Sequence, residues 1–495
     1  MVKLTYRKRD RIADMNRSTI EVKKQHSNGD HQNEKTKLKM KSGIVRILKL
    51  INILIHLALF FGCWCVFFYD KGIDASLPFQ CFSSLILYFV LLVLLDRIYN
   101  AFDVGLSRIS ELMYSNELSS VIASAVVYML MTLEWLQLPN ILFLLLLWGV
   151  QLGWNCLWAY VANYIFFFIH QPKRTVIVYR NKNDLHKLHQ LTKYKNRFTV
   201  EKTVENPSNI TQLLSEIEGY DVVFAVGLNA TLRNGLAKHC VESGVQGYIE
   251  PKVGDIILTG AKVVQSFSIP ILHVRPSSPP PEYLFAKRGM DILLSLVLIM
   301  LTWPIMVVVA IVIKAYDKGP VLYKQIRLTQ NGREFEILKF RSMRVDAEKN
   351  GIAQLSTGEK DDRVTPVGRV IRACRIDELP QVFNILRGDM TIVGPRPERP
   401  EIAAVYEKTL PAFRLRLQVK AGLTGYAQVY GRYNTQPYDK LQMDLMYINR
   451  MSFAEDLRLI LATVKILFLK ESTQGVDNRT LTAMSADCED EIKTA

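Results

Sequence analysis

The sequence predicts a membrane protein of mixed α and α/β class. Its parts are a four-helix transmembrane bundle, a Rossmann-like α/β insert, and a last domain anchored by a re-entrant membrane helix with surface amphipathic helices. Three observations predict this. Four long apolar segments fill the first third of the 495-residue chain. The next hundred or so residues alternate β-branched runs with helical stretches. A fifth apolar segment then follows, basic at both ends and with a proline in its middle.

Residues 1–42 are polar and basic without apolar periodicity, and they lack the layout of a signal peptide. They read as a disordered cytoplasmic tail. The apolar segments run over Ile44–Tyr69, Phe82–Leu95, Leu118–Leu138 and Ile141–Ile169. A span needs about 20 apolar residues, so the second is short unless it begins near Leu77. Runs such as LILYFVLLVLL and ILFLLLLWG have no polar face to turn toward water. Lys and Arg crowd the chain up to Lys49, Arg97 and Arg108 mark the second connection, and Lys173 and Arg174 follow the fourth segment. The first connection has Lys71 against Asp70 and Asp74, and the third has no cation. Cationic flanks stay in the cytoplasm, so the bundle, residues 43–170, is expected to keep both ends there.

From 171 to 275 the pattern is βαβ. TVIVY (175–179), FTVEKTV (198–204) and VVFAVG (222–227) look like strands. Asn183–Tyr194, Ser208–Glu218 and Ala230–Ser243 look like helices. A parallel sheet is implied. The first strand runs into Tyr179-Arg-Asn-Lys182 with no glycine for a phosphate-binding turn, which argues against a dinucleotide site. Residues 276–286 are a stiff Pro-rich linker.

The fifth apolar segment, Ile292–Ile313, follows Lys287 and Arg288 and precedes Lys314, Lys318, Lys324 and Arg327. Both flanks look cytoplasmic. Pro304 removes a backbone hydrogen bond, and Thr302 is placed to satisfy the freed carbonyl. A re-entrant helix over 290–315 is expected, entering one leaflet and returning. The domain it anchors covers 287–470, and 471–495 reads as a flexible tail. Phe453–Lys470 reads as an apolar helix, either on the membrane surface or in the core.

Net charge is +15, from 62 Lys and Arg against 47 Asp and Glu, which suggests an anionic partner. The basic runs lack interleaved stacking aromatics, so no nucleic acid is expected. The seven cysteines are scattered and give neither a disulfide framework nor a metal motif. All eight histidines lie at or before His273, so chemistry beyond it must run without imidazole.

Within 323–456 the residues carry more. Arg375 to Gly388 reads as a short helix, with Leu379, Val382, Phe383 and Leu386 on one apolar face. Asp377 is placed as N-cap, Pro380 in the first turn and Gly388 at the stop. Asp377 and Glu378 therefore stand together at a helix start, as simple capping or as part of a phosphate site. Gly394-Pro-Arg-Pro-Glu398 fixes Arg396 between two prolines, which suits a guanidinium holding phosphate in one geometry. Leu338-Lys-Phe-Arg-Ser-Met343 alternates like an edge strand showing Lys339 and Arg341 on one face. Gly422–Gln428 and Gly431-Arg432 read as flexible, donor-rich loops. Carboxylates and cations without histidine suit phosphoryl transfer aided by Mg²⁺, which takes one or two carboxylates plus substrate phosphates.

Together KRGMDILLSLVLI, VLYKQIRLTQNGREFEILKFRSMR, IDELPQVFNILRGDMTIVGPRPE and AGLTGYAQVYGR closely resemble the bacterial polyprenyl-phosphate sugar-phosphate transferases, the monotopic phosphoglycosyl transferases. The bundle and insert resemble the large members of that family, which initiate capsule or exopolysaccharide repeat units. The resemblance implies transfer of a sugar-1-phosphate from a UDP-sugar to undecaprenyl phosphate, with release of UMP, at the cytoplasmic face of the bacterial inner membrane. It implies Asp377 as nucleophile forming a covalent phosphosugar, and Glu378 holding Mg²⁺ beside it. It also implies Lys339, Arg372 and Arg396 as phosphate contacts, with Arg432 and Asp456 completing the site. Arg341, on the same strand face as Lys339, is expected from that alternation to bind substrate as well. Where the family usually has Pro and Trp around the GLTG loop, this chain has Ala421 and Tyr426. Membrane lipid is an expected partner, a homodimer is one arrangement to expect, and the sugar stays open.

The residues speak against three rival readings. A glycosyltransferase releasing UDP lacks a separate Asp-x-Asp motif. A scaffold for polysaccharide assembly would not need Asp377. A transporter would need charged residues along a path inside the bundle, and the sequence shows none there.

Overall fold

The computed structural model describes residues 43–68, 77–105, 107–181, 184, 197–264, 271–277, 279–344, 363–431 and 436–467. The expected tails at 1–42 and 471–495, Arg432, and the helix at Asn183–Tyr194 apart from Asp184 lie outside the described residues. The chain divides into two compact units, one running to Val226 plus Leu236–Tyr248, the other Gly227–Gly235 plus Ile249 onward.

The first unit opens with four helices long and apolar enough to cross a membrane: α1 (Gly43–Phe68), α2 (Leu77–Ile98), α3 (Ile109–Trp135) and α4 (Ile141–Ile169). α2 does begin at Leu77, which gives it spanning length. Asn140 caps α4 by accepting from the Leu142 amide at 3.0 Å. Polar side chains tie all four helices together. Asn52 donates to Asn116 at 2.9 Å, and Trp154 donates to Asn52 at 2.8 Å. Asn155 donates to Glu117 at 2.9 Å and stands 2.9 Å from His56, while Gln151 donates to Tyr88 at 2.7 Å. The expectation of a bundle without interior charge is corrected: Asp96 is 1% exposed, and Glu117 is half-buried beside Asn155. Hydropathy alone leaves both in the second connection, but α2 continues to Ile98 and α3 already starts at Ile109.

The α/β part is a parallel arrangement, as the βαβ pattern implies. β1 (Lys173–Tyr179) pairs in parallel with β2 (Phe198–Glu205) on one side and β3 (Val222–Val226) on the other. α5 (Ile210–Ile217) links β2 to β3, and α6 (Ala230–Ser243) leads to β4 (Gln246–Ile249) beyond β3. β3 is buried at every position, as expected of a strand covered on both faces.

The second unit adds elements that the sequence reading did not anticipate. These are α7 (Val253–Thr259) and a hairpin of β5 (Lys262–Val264) with β6 (Ile271–His273). α8 runs over Pro281–Asp317, so it starts inside the expected linker, with proline at its first position where no N–H is needed. It passes through Pro304 as one helix. Thr302 Oγ1 donates to the Leu298 carbonyl at 2.6 Å. That corrects the expected role, because the carbonyl freed by Pro304 belongs to Met300.

The two ends of α8 are held by two separate clusters of this unit. Arg288 donates to the carbonyls of Ile385 and Leu386 at 2.6 and 2.7 Å, and the buried Asp291 accepts from the Ile392 amide at 2.9 Å. Near the other end, Ile313 packs with Phe340 and Ile371.

The rest of the unit meets this helix near its two ends and leaves its apolar middle exposed. β7 (Leu322–Leu328) and β8 (Glu334–Phe340) form an antiparallel hairpin. α9 (Pro366–Ala373) leads to a single 3₁₀ turn at Ile376–Glu378, then α10 (Gln381–Arg387) and β9 (Thr391–Val393). α11 (Pro400–Thr409), a 3₁₀ stretch at Pro411–Gln418 and β10 (Gly422–Thr424) follow. α12 (Tyr426–Val429), α13 (Pro437–Asn449) and α14 (Phe453–Leu467) complete it. β10 pairs in parallel with β9, so the GLTG segment is a buried strand rather than a flexible loop. A side chain on Gly422 would collide with the Gly394 backbone, which explains the glycines there. α14 packs into the core through Asp456 and Leu459, both fully buried.

Candidate functional site

The two carboxylates do not cap a helix. Pro380 has no N–H, so the turn before it cannot make the i→i−4 bond of an α-helix. It closes with shorter bonds instead, from the Glu378 amide to Arg375 O (3.3 Å) and the Leu379 amide to Ile376 O (3.1 Å). α10 then starts at Gln381 and ends, as expected, at Gly388, in the left-handed region at φ 90°. Its buried face is Gln381, Val382, Asn384 and Ile385, whereas Phe383 is 38% exposed. The expected apolar stripe over Leu379, Val382, Phe383 and Leu386 is corrected accordingly. Asn384 explains the rotation: its side chain accepts from the Leu338 amide (2.9 Å) and donates to Glu336 O (2.7 Å), pinning α10 to β8.

That pin brings β8 to the 3₁₀ turn. Lys339 Nζ donates to Glu378 Oε1 at 3.2 Å, and Arg396 donates to the same oxygen at 2.8 Å. Burial alone would raise the Glu378 carboxyl, but Arg396, Lys339 and Arg375 outweigh it and hold it far below the usual carboxylate range. Asp377 goes the other way. Burial raises its carboxyl, and the Glu378 charge raises it further, against Lys339, Arg372 and Arg396. Burial also lowers the Lys339 ammonium, while Glu378 pulls it back up. One carboxylate is thus locked in ion pairs, and its neighbour is left the more basic of the two. No hydrogen bond or ion pair holds Asp377 among the described residues.

The structure therefore brings together Asp377, Glu378, Lys339, Arg372 and Arg396. It does not bring Arg341 or Asp456 to them. β8 ends at Phe340, and the Arg341 guanidinium turns to Asp317 at the end of α8. Asp456 is saturated by Lys287 Nζ (2.7 Å), Tyr283 OH (2.7 Å) and Tyr447 OH (2.7 Å). Tyr426 OH donates to Glu455 at 2.7 Å.

Some residues of the site were missed in the sequence. Arg375 sits in the left-handed region at φ 57°, a strained position directly before the turn that carries the carboxylates. Arg327 and Arg416 reach the 395–398 segment behind Arg396. In sequence, Arg414-Leu-Arg416 alternates like a solvated face and gives no hint of this.

No group of three or more His, Cys, Asp or Glu side chains forms a metal cage among the described residues. A hard divalent cation could still be held by the Asp377 carboxylate and Glu378 Oε2 together with phosphate oxygens of a substrate. That donor set fits Mg²⁺, which keeps few protein ligands.

Residues 282–470 match the sequence model of the family described as bacterial sugar transferase. Over 192 residues, 38% of this chain and 45% of the relative, the chain is 41% identical to the UDP-N-acetylgalactosamine-undecaprenyl-phosphate N-acetylgalactosaminephosphotransferase of Aeromonas hydrophila. It is 37% identical over 225 residues, 44% of this chain and 46% of the relative, to a UDP-glucose:undecaprenyl-phosphate glucose-1-phosphate transferase of Xanthomonas campestris pv. campestris. A protein of the same description from Caulobacter vibrioides is 38% identical over 212 residues, 41% of this chain and 79% of the relative. The matched region spans slightly under half the length of the first two relatives.

Proposed function

Because the chain belongs to the bacterial polyprenyl-phosphate sugar-phosphate transferases, we propose that it transfers a sugar-1-phosphate from a UDP-sugar to undecaprenyl phosphate. The observation that carries this is the basic, unpaired Asp377 beside Glu378, with Lys339, Arg372 and Arg396 around the two.

An Asp377 oxygen attacks the sugar-bearing phosphorus of the donor. The bond from that phosphorus to the bridging diphosphate oxygen breaks, and UMP leaves with the bridging oxygen. An aspartyl-phosphosugar remains. An oxygen of the lipid phosphate then attacks the same phosphorus and frees the Asp377 carboxylate, giving the lipid diphosphate sugar. Splitting the transfer lets two bulky substrates visit in turn. Lys339, Arg372 and Arg396 hold phosphate oxygens in both halves, and Glu378 keeps Lys339 and Arg396 oriented between visits. Mg²⁺ held by Glu378 and Asp377 would neutralise charge on the diphosphate.

The acceptor lies in a bilayer, so the site must lie at its surface. Five helices are long and apolar enough to cross, which suits a membrane protein. We read α1–α4 as a transmembrane bundle and α8 as re-entrant, with the catalytic domain on the cytoplasmic face. A straight helix would separate residues 288 and 313 by roughly 38 Å. Yet Arg288 is anchored at Ile385, and Ile313 at Phe340, while Asn384 bonds Leu338. Those anchors lie within a few residues of each other, which supports a helix bent at Pro304 with both ends on one side. We read the product as the first lipid-linked unit of an exopolysaccharide or capsule.

The test is nucleotide release by purified protein in nanodiscs with Mg²⁺, undecaprenyl phosphate and a panel of UDP-sugars. UMP release that depends on the lipid phosphate is expected with one donor. UDP release would replace this reading with a simple glycosyltransferase.

A further inference from the structure

Behind Arg396 the main chain has no regular secondary structure over 395–398, yet each of its four carbonyls is claimed. Pro395 O accepts from the Gly422 amide (2.8 Å), and Glu398 O accepts from the Leu328 amide (2.9 Å). Between them, Arg396 O accepts from Arg416 (2.8 Å) and Pro397 O from Arg327 (3.1 Å). Two prolines fix φ on either side of Arg396, and these four donors fix the peptide planes.

Arg416 is the deeper of the two side-chain donors. Its side chain is 3% exposed, and the same terminal nitrogen that reaches Arg396 O stands 2.7 Å from Asp444 on α13, itself 1% exposed. The Phe413 ring lies 4.9 Å from the guanidinium centre. Stability alone does not account for this arrangement. A buried ion pair roughly breaks even against a well-packed apolar pair, because desolvation offsets the attraction. Here, moreover, the buried cation is placed directly behind a second cation. What the guanidinium adds is a rigid, planar donor that serves an anchor and a carbonyl at once, which a lysine ammonium on a flexible stem does not reproduce.

We propose that Arg416, seated by Asp444 and Phe413, is a positioning residue: it fixes the Arg396 main chain so that the Arg396 guanidinium meets Glu378 and the donor phosphate. This rests on the reading of Arg396 as a phosphate-holding group. Misplacing such a group by about 1 Å costs on the order of a hundredfold in rate. Arg416 touches no substrate; it acts through Arg396.

The test uses full-length protein in nanodiscs with two readouts. The first is a double-mutant cycle on UMP release. Arg416→Lys, and separately the apolar pair Arg416→Met with Asp444→Leu, should each lower kcat/KM for the UDP-sugar by roughly 30- to 100-fold. The apolar pair should keep the wild-type melting temperature, which separates positioning from folding. In an Arg396→Ala background the same changes should cost less than about threefold, since the group they position is gone. Losses that multiply in full, or wild-type rates in the apolar pair, overturn the proposal. The second readout needs no turnover: hydrogen exchange of a peptide covering 394–399. It should speed up in the apolar pair while α13 exchanges as before. Unchanged exchange in 394–399 also overturns the proposal. If wild-type protein releases no UMP from any donor, the transfer reading fails, and the exchange readout alone decides whether Arg416 holds the segment.

Discussion

Arg396 reaches back to Glu378 and places a guanidinium nitrogen 2.8 Å from its Oε1, the oxygen that Lys339 also approaches at 3.2 Å. Two cations on one oxygen leave the adjacent Asp377 outside the ion-pair network. The pair is therefore divided by its surroundings into a member locked in ion pairs and a more basic one.

Asp377→Asn should abolish transfer, with a loss of at least about a thousandfold in UMP release. Intact-protein mass spectrometry after incubation with donor alone should show a phosphosugar adduct on the wild type and none on the variant. An adduct of equal yield on Asp377→Asn would remove the residue from the nucleophile's role.

The pH profile follows from the same division. Burial and then Glu378 raise the Asp377 carboxyl, so it keeps its proton to a higher pH than an ordinary aspartate. The attacking form is the ionised one. Activity should therefore fall, as pH drops, already above the usual carboxylate range. Glu378→Gln removes the neighbouring negative charge and leaves Lys339 and Arg396 to act on Asp377. The acid limb should move to lower pH even as the maximal rate falls. A limb that stays in place or moves up would refute the coupling.

Asp456 should behave as part of the scaffold. Asp456→Asn leaves the Lys287 ammonium buried without its counter-charge, a cost of about 3–5 kcal/mol. The melting temperature in detergent should drop, and pairing the change with Lys287→Met should recover much of it. Lost activity at an unchanged melting temperature would instead put Asp456 in the reaction.

Topology can be read with cysteines. In a background without native cysteines, Phe285→Cys and Tyr316→Cys place thiols at exposed positions near opposite ends of α8. Both should react with an impermeant maleimide only from the cytoplasmic side. Labelling from opposite sides would show that α8 crosses the membrane.

What was legible in the sequence was what is encoded locally. The limits of α4 follow from hydropathy and an Asn cap, and β1–β3 follow from short β-branched runs with turns between them. The start of α10 was misjudged because Pro380 acts on the turn before it, not only on its own position. Arg341 was grouped with Lys339 by strand alternation, but the strand ends one residue too early for that alternation to hold. The Arg416–Asp444 pair could not be read at all: each looks like a surface charge on its own element, and only the fold buries them against each other. Of the candidate site, Asp377, Glu378, Lys339, Arg372 and Arg396 converge in space. Residue pattern alone singles out Asp377, Glu378, Lys339 and Arg396 but favours capping for the two carboxylates; the resemblance adds Arg372 and the individual roles.

The polar cross-links of the four-helix bundle bear on how the protein is made. Lipid offers no hydrogen bonds, so a helix that carries Asn52, Gln151 or Asn155 into a bilayer alone is unsatisfied until its neighbours arrive. The partners sit on other helices, and α1 depends on α3 and α4, which are synthesised later. On the reading of α1–α4 as membrane spans, the early helices would have to wait at the translocon or with an insertase. A substitution at Asn116 or Asn155 should then surface as protein cleared by membrane proteases before it ever meets a substrate.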